Sequence, residues 1–139
     1  MKIVFIGLIL VLTVSVRLAA QDETALQSVK TPAEAAQEQL DAYNARNIGA
    51  FLVAFSEDVQ VFNFPNELSM EGRSEMRRRY APYFTNTPDL HVTVTKRMVQ
   101  GDYVIDKEEG TANGNKFSAV AIYHVDPASG EIDKVWFIQ

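Results

Sequence analysis

Arg97, Asp106 and Glu108 lie on runs whose turn signals fold them face to face. Gly101-Asp102 and Asn113-Gly114 interrupt stretches of β-type alternation, and a two-residue turn fixes which residues oppose each other across a hairpin. Counting back from the first turn opposes Val99 with Val104, Arg97 with Asp106 and Thr95 with Glu108. The second opposes Val104 with Tyr123, Asp106 with Ala121 and Glu108 with Ala119. A carboxylate beside a guanidinium is either an acid–base group tuned by a cation or a cross-strand ion pair, a common device of sheets. Glu108 has no cation opposite it. Turned inward it loses hydration, its pKa rises, and it suits general acid–base work. Turned to the rim it is an ordinary solvated carboxylate.

Carried through the Pro127-Ala128-Ser129-Gly130 turn, the same count opposes Ala121 with Trp136 and Tyr123 with Lys134. One face then holds Thr93, Thr95, Arg97, Asp106, Glu108, Ala119, Ala121, Tyr123 and Trp136. The other holds Met98, Ile105, Val120, Ile122, Val135 and Phe137. Alanines beside carboxylates leave the hollow a ligand needs. Asp106 and Glu108 are therefore the candidate catalytic groups, and Phe62, Asn63, Tyr80, Arg97, Ala121, Tyr123 and Trp136 the candidate pocket. The aromatics among them, with Tyr43, serve equally as core. The apolar second face calls for a partner, most simply a second copy of the chain in a homodimer. His91 reads as a rim residue and His124, near Asp133, as a surface or interface one; Arg77-Arg78-Arg79 reads as a solvated helix face.

The elements that must position these residues are legible. Thr31-Pro32-Ala33-Glu34 is a capping box with proline at the first helical position. Ala33, Ala36, Leu40 and Tyr43 follow at helical spacing. Asn47 caps a second helix with Ile48, Phe51, Leu52 and Phe55 on one face. Asp58 to Phe64 alternates as a strand ending at Pro65, and a short extended piece near Leu68 leads to Gly72. A third helix is expected from Arg73 to Tyr80, with Met76 and Tyr80 inward, Arg73, Arg77 and Arg78 outward, and Pro82 closing it. Strands follow over His91–Gln100, Tyr103–Thr111, Lys116–Val125 and Ile132–Ile138. Helices before an antiparallel meander predict an α+β fold, three helices packed on one face of a curved, mostly antiparallel sheet.

The whole chain has 139 residues, which bounds it to one domain, and a formal charge of −5. The first twenty residues carry Lys2, Arg17 and no acid, so the remainder is more acidic still. An acidic surface argues against nucleic acid. The absence of cysteine excludes disulfides, thiol catalysis and thiolate metal sites, and two histidines argue against a histidine-rich one. No metal or other cofactor is expected. Lys2, the apolar run Ile3 to Val16 and the small residues at Ala19-Ala20 have the order of a secretory signal, shorter than a membrane span, so residues 1–20 are expected to be removed and 21–30 to be a flexible lead-in. The mature protein is then periplasmic or secreted, with no membrane attachment.

The run Tyr43-Asn44-Ala45-Arg46-Asn47-Ile48-Gly49-Ala50-Phe51, followed by Asp58-Val59-Gln60-Val61-Phe62, resembles the opening of the nuclear-transport-factor-2-like superfamily. Gly72-Arg73 before an arginine-rich helix, and Val135-Trp136-Phe137 at the close, are similar to its SnoaL-like and ketosteroid-isomerase-like branch. The resemblance spans about residues 31–139 and implies a cone-shaped roll around a pocket for a small, largely apolar molecule. It does not fix an activity, since one fold hosts many. Ketosteroid isomerase needs a carboxylate base, a tyrosine and a protonated acid; by resemblance these fall on Asn63, Gln39 and near Ala121, and all three are absent. Two classes stay open: a cofactor-free isomerase, cyclase or hydrolase, with Tyr123 or Asn63 donating hydrogen bonds to the ligand, and a non-catalytic ligand-binding or protein-interaction module.

Overall fold

The computed structural model describes residues 28–139; the expected signal segment and most of the lead-in lie outside the described residues. Three helices, α1 (Pro32–Asn44), α2 (Ile48–Val53) and α3 (Arg73–Asn86), pack on a curved six-stranded sheet. Its strands are β1 (Phe55–Asn63), β2 (Glu67–Glu71), β3 (His91–Gln100), β4 (Tyr103–Ala112), β5 (Asn115–Val125) and β6 (Ile132–Ile138). They lie in the order β2-β1-β6-β5-β4-β3, and β1 with β6 is the one parallel pair. The chain is α+β as expected, and α3 follows two strands, the order in which its sequence signals occur, so the helices do not all precede the sheet.

The helix starts form for the expected reasons. Thr31 Oγ1 accepts from Glu34 N at 3.3 Å, while Glu34 accepts from Thr31 N at 2.8 Å. Asn47 Oδ1 accepts from Ala50 N at 3.0 Å and caps α2. The third helix does not end at Pro82. It continues to Asn86 with the proline inside, because Met76, Tyr80 and Phe84 keep one inward face and Phe84 packs on Tyr43 and Phe51. That burial outweighs the hydrogen bond the proline removes. Arg73, expected to face solvent, is half-buried instead. Its Nε donates to Phe55 O at 2.6 Å and Nη2 to Glu131 at 2.7 Å, tying the start of α3 to β1 and the β5–β6 turn.

Asn44, at the end of α1, pairs with the outer edge of β3 as a neighbouring strand would. Its Nδ2 donates to Val92 O at 2.9 Å and its Oδ1 accepts from Val92 N at 2.8 Å. Two otherwise open ladder groups are satisfied, and α1 is fixed over the β3–β4 end of the sheet.

The glycine turns set the hairpin registers as counted: Arg97 opposes Asp106, Val99 opposes Val104, and Asp106, Glu108 and Val104 oppose Ala121, Ala119 and Tyr123. Asn113 and Gly114 both have positive φ, 50° and 76°, the type I′ requirement. Asp89 clamps this turn by accepting from both backbone amides.

Two β-bulges correct the rest of the count. In β3 the register shifts at Thr95, so Val94, not Thr95, opposes Glu108, and Thr93 opposes Glu109 on the outer face. In β6 the last turn begins as counted, with Val125 opposite Ile132, but the register then shifts and His124 opposes Lys134. One extra residue exchanges the faces of everything beyond it. Ala121 therefore opposes Phe137, Tyr123 opposes Val135, and Trp136 opposes Ile122. Val135 and Phe137 move beneath the helices and Trp136 moves outside, the reverse of the expectation for all three.

Candidate functional site

Between the helices and the concave face lies a cavity of about 220 Å³. Its buried end is formed by Leu40, Phe51, Phe55, Val61, Met76 and Val135; Asn63, Ser69, Phe117, Phe137 and Gln139 line it at the more exposed end. Most of the wall is apolar or aromatic, and among the described residues Glu108 is its one charged side chain.

Glu108 comes from β4, held inward by the Asn113-Gly114 hairpin, and is 7% exposed. Tyr123 on β5 donates from Oη to Glu108 Oε1 at 3.1 Å, and Gln39 Nε2 on α1 donates to Tyr123 Oη at 3.0 Å. The second carboxyl oxygen has no hydrogen-bond partner among the described residues, yet no buried polar atom there is left unsatisfied. Oε2 is therefore open to the cavity. Burial is the largest influence on this carboxyl and raises its pKa to about 7; the Tyr123 hydrogen bond opposes the rise, Asp106 adds to it and Arg97 opposes it. Glu108 thus divides between acid and base forms near neutrality.

Asp106 behaves differently. It is wholly buried, and Arg97 grips it in a bidentate pair, Nε to Oδ1 and Nη2 to Oδ2, both 2.8 Å. Arg97 also donates to Gln37 Oε1 at 2.9 Å, and Asp106 raises the guanidinium pKa. Neither residue lines the cavity. The pair stands behind Glu108 as a fixed charge arrangement.

The structure sorts the other expected pocket residues into three groups. Tyr80, Asn63 and Tyr123 line the cavity. Ala121 is inward and fully buried against Asp106 but does not form the wall. Phe62 and Trp136 are outside: their rings stack on the outer face at 5.7 Å and 17°. They oppose each other across the parallel β1–β6 pair, so the bulge that turned Trp136 outward seated it on Phe62. Tyr123 was expected to donate to a ligand, but its proton is directed to Glu108. Tyr80 makes no hydrogen bond through its hydroxyl among the described residues, and burial, reinforced by the Glu108 charge, raises its pKa to about 12. It keeps a proton to donate at neutral pH. Burial likewise raises Tyr43.

Sequence reasoning passed over Phe117 as a wall residue, reached Gln39 only as the position of an absent tyrosine, and weighed Tyr43 chiefly as core. Gln39 had a signal: it lies between Ala36 and Tyr43 at helical spacing on the stripe that α1 buries, where a polar group must have a buried partner. Among the described residues no three His, Asp or Glu side chains converge as a metal-binding set, and no helix is long and apolar enough to cross a membrane.

The model of the SnoaL-like domain matches residues 36–135. Comparison with curated proteins finds no match. Among solved structures, an uncharacterized cystatin fold protein of Novosphingobium aromaticivorans is 24% identical with a TM-score of 0.72, covering 79% of this chain and 99% of its own. The epoxide hydrolase/cyclase-like enzyme SalBIII, of pyran ring formation in the polyether salinomycin, is 17% identical with a TM-score of 0.66, covering 77% and 88%. A computationally designed 17-OHP binder is 16% identical with a TM-score of 0.68, covering 79% and 92%. At these identities the likeness is one of fold.

Proposed function

This chain belongs to the SnoaL-like domain family, and from that premise we propose that it binds a small, largely apolar molecule in its cone and performs cofactor-free acid–base chemistry on it, of the isomerase, cyclase or hydrolase type. The observation that carries this reading is Glu108: a carboxyl with a pKa of about 7, one oxygen held by Tyr123 and the other open to an apolar cavity. In this mechanism Oε2 takes a proton from a carbon next to a carbonyl, or from a water set against an epoxide, and returns it to the product. Tyr80 keeps its proton and donates a hydrogen bond from its hydroxyl to the substrate oxygen as negative charge develops there, the use of preset donors that lowers such barriers. Gln39 and Tyr123 hold the carboxyl in place.

The volume bounds the substrate. About 220 Å³ exceeds the roughly 150 Å³ of an apolar cavity that takes benzene. It falls below the roughly 300–1,000 Å³ of sites for drug-sized ligands. One or two fused rings fit; four do not. A wall whose one charge is an acid also disfavours carboxylates and phosphates.

The test is a screen of small cyclic ketones and epoxides for heat stabilisation and turnover, since a ligand of the folded state stabilises it by mass action. The pH profile of kcat/KM is expected to rise through about 7, as the base form of Glu108 appears. Turnover that is flat from pH 5 to 9 removes Glu108 from the chemistry. A second reading, a non-catalytic binder, is favoured by the capture of Asp106 by Arg97, which leaves the cavity a single carboxylate. It predicts stabilising ligands with no turnover at any pH.

The same proposal places the protein outside the cytoplasm, in the periplasm or secreted, as a homodimer. The outer sheet face supports the second point: Phe62 and Trp136 stack there beside Tyr103, and the same face carries half-exposed Met98. Trp136→Glu is expected to shift sedimentation from dimer to monomer mass while the circular dichroism stays unchanged. Wild-type protein sedimenting as a monomer at tens of micromolar, an order-of-magnitude working concentration, ends the dimer reading.

A further inference from the structure

Phe117 on β5 stands at the more exposed end of the cavity. Its ring lines the cavity with Glu108, Ala119 and Tyr123, while its neighbours Glu109, Lys116 and Ser118 border a shallow groove on the outer face of the sheet. The β4–β5 ladder lies between that groove and the cavity, and the Phe117 ring stays on the cavity side. The ring's place depends on the residue opposite. Phe117 opposes Gly110 across the β4–β5 hairpin, on the same face as Glu108 and Ala119 one step along. A Cβ on Gly110 would meet the Phe117 ring at 2.3, 2.6 and 2.8 Å, far inside van der Waals contact. Gly110 does not have a positive φ, so no backbone conformation requires glycine there. Space for the ring does.

We propose that Phe117, seated on Gly110, is the specificity-determining residue that sets the largest ligand the cavity admits. This rests on the cavity being the ligand site. The ring takes up space at the more exposed end of the cavity, beside Glu108 and Ala119. Removing it lengthens the cavity and admits longer ligands. Adding a methyl group at Gly110, which faces inward from the sheet, lifts the ring off the strand and into the lumen, and shortens the admissible ligand.

The experiment measures melting temperature against a ladder of neutral ketones: cyclohexanone, 1-tetralone and the tetracyclic androstenedione. The expected result is that wild type is stabilised by the first two only, Phe117→Ala by all three, and Gly110→Ala by cyclohexanone alone. Phe117→Leu keeps the core filled if the alanine variant does not fold, and is expected to bind the bicyclic ketone at least tenfold more tightly than Gly110→Ala does. The same size limit in wild type and in folded Phe117 and Gly110 variants overturns the gate and leaves the cavity standing as the ligand site. No stabilisation of any variant by any ketone overturns both.

Discussion

Glu108→Gln is expected to make the protein more stable at pH 8, by about 3 kcal/mol, while abolishing turnover. The carboxyl is 7% exposed and its pKa stands at about 7 against an ordinary value of 4.5. Its folded-state pKa is raised, so the folded protein holds the proton more tightly than the unfolded chain. Below about 4.5 the group is protonated in both states and has no effect on the balance. Between 4.5 and 7 stability falls as pH rises, because the unfolded chain releases its proton first. Above 7 the whole cost of a buried charge is present. Glutamine keeps the acceptor for Tyr123 and carries no charge, so the gain should be full at pH 8 and vanish near pH 4. Urea melts of both proteins at the two pH values check it. An equal difference at pH 4 and pH 8 would show that Glu108 is not strained by burial, and would remove the support for its role as an acid–base group. A residue that destabilises its own fold at working pH, and is cured by an isosteric amide, is the pattern expected where function sets the residue.

Local signals carried most of this fold, and registers close to tight turns came with them. The capping box at Thr31, the cap at Asn47 and the paired glycine turns each act within a few residues, so a single sequence displays them. Glu108, Asp106, Arg97 and Tyr123 lie within reach of those turns, which is why their shared face was legible. Trp136 and Phe137 were assigned to the wrong faces because a bulge near Asp133 intervenes between the turn and the strand. Nothing in Glu131-Ile132-Asp133-Lys134 marks that extra residue; it is set by the parallel pairing of β6 with β1, a contact distant along the chain. Pro82 misled for a similar reason. The local rule stops a helix there, and the aromatic packing of Phe84 on Tyr43 and Phe51 carries it on. The part Gln39 plays against Tyr123 became visible only once α1 was laid over the sheet.

The second large effect is expected at Arg97. Asp106 is wholly buried, and its two carboxyl oxygens receive both of their hydrogen bonds from this one guanidinium. Arg97→Met leaves a desolvated carboxylate without a partner, which costs about 3–5 kcal/mol. Arg97→Lys recovers only part, since an ammonium cannot make the bidentate fork. Converting both partners, Arg97→Met with Asp106→Leu, is expected to restore stability to near wild type, because the cost lies in the orphaned charge and not in the loss of the pair. A single variant within 1 kcal/mol of wild type, the order of an exposed surface pair, would sink this account. The consequence reaches the cavity. Arg97 lowers the pKa of Glu108 and Asp106 raises it. In Arg97→Met the restraint is gone while the neighbouring acid remains, so the Glu108 titration and the rise in kcat/KM should move to higher pH. In the double variant both influences are gone and the inflection should return toward its original place. A pair that only braced the sheet would change stability and leave the inflection where it was, so the direction of that shift separates a tuning role from a purely structural one.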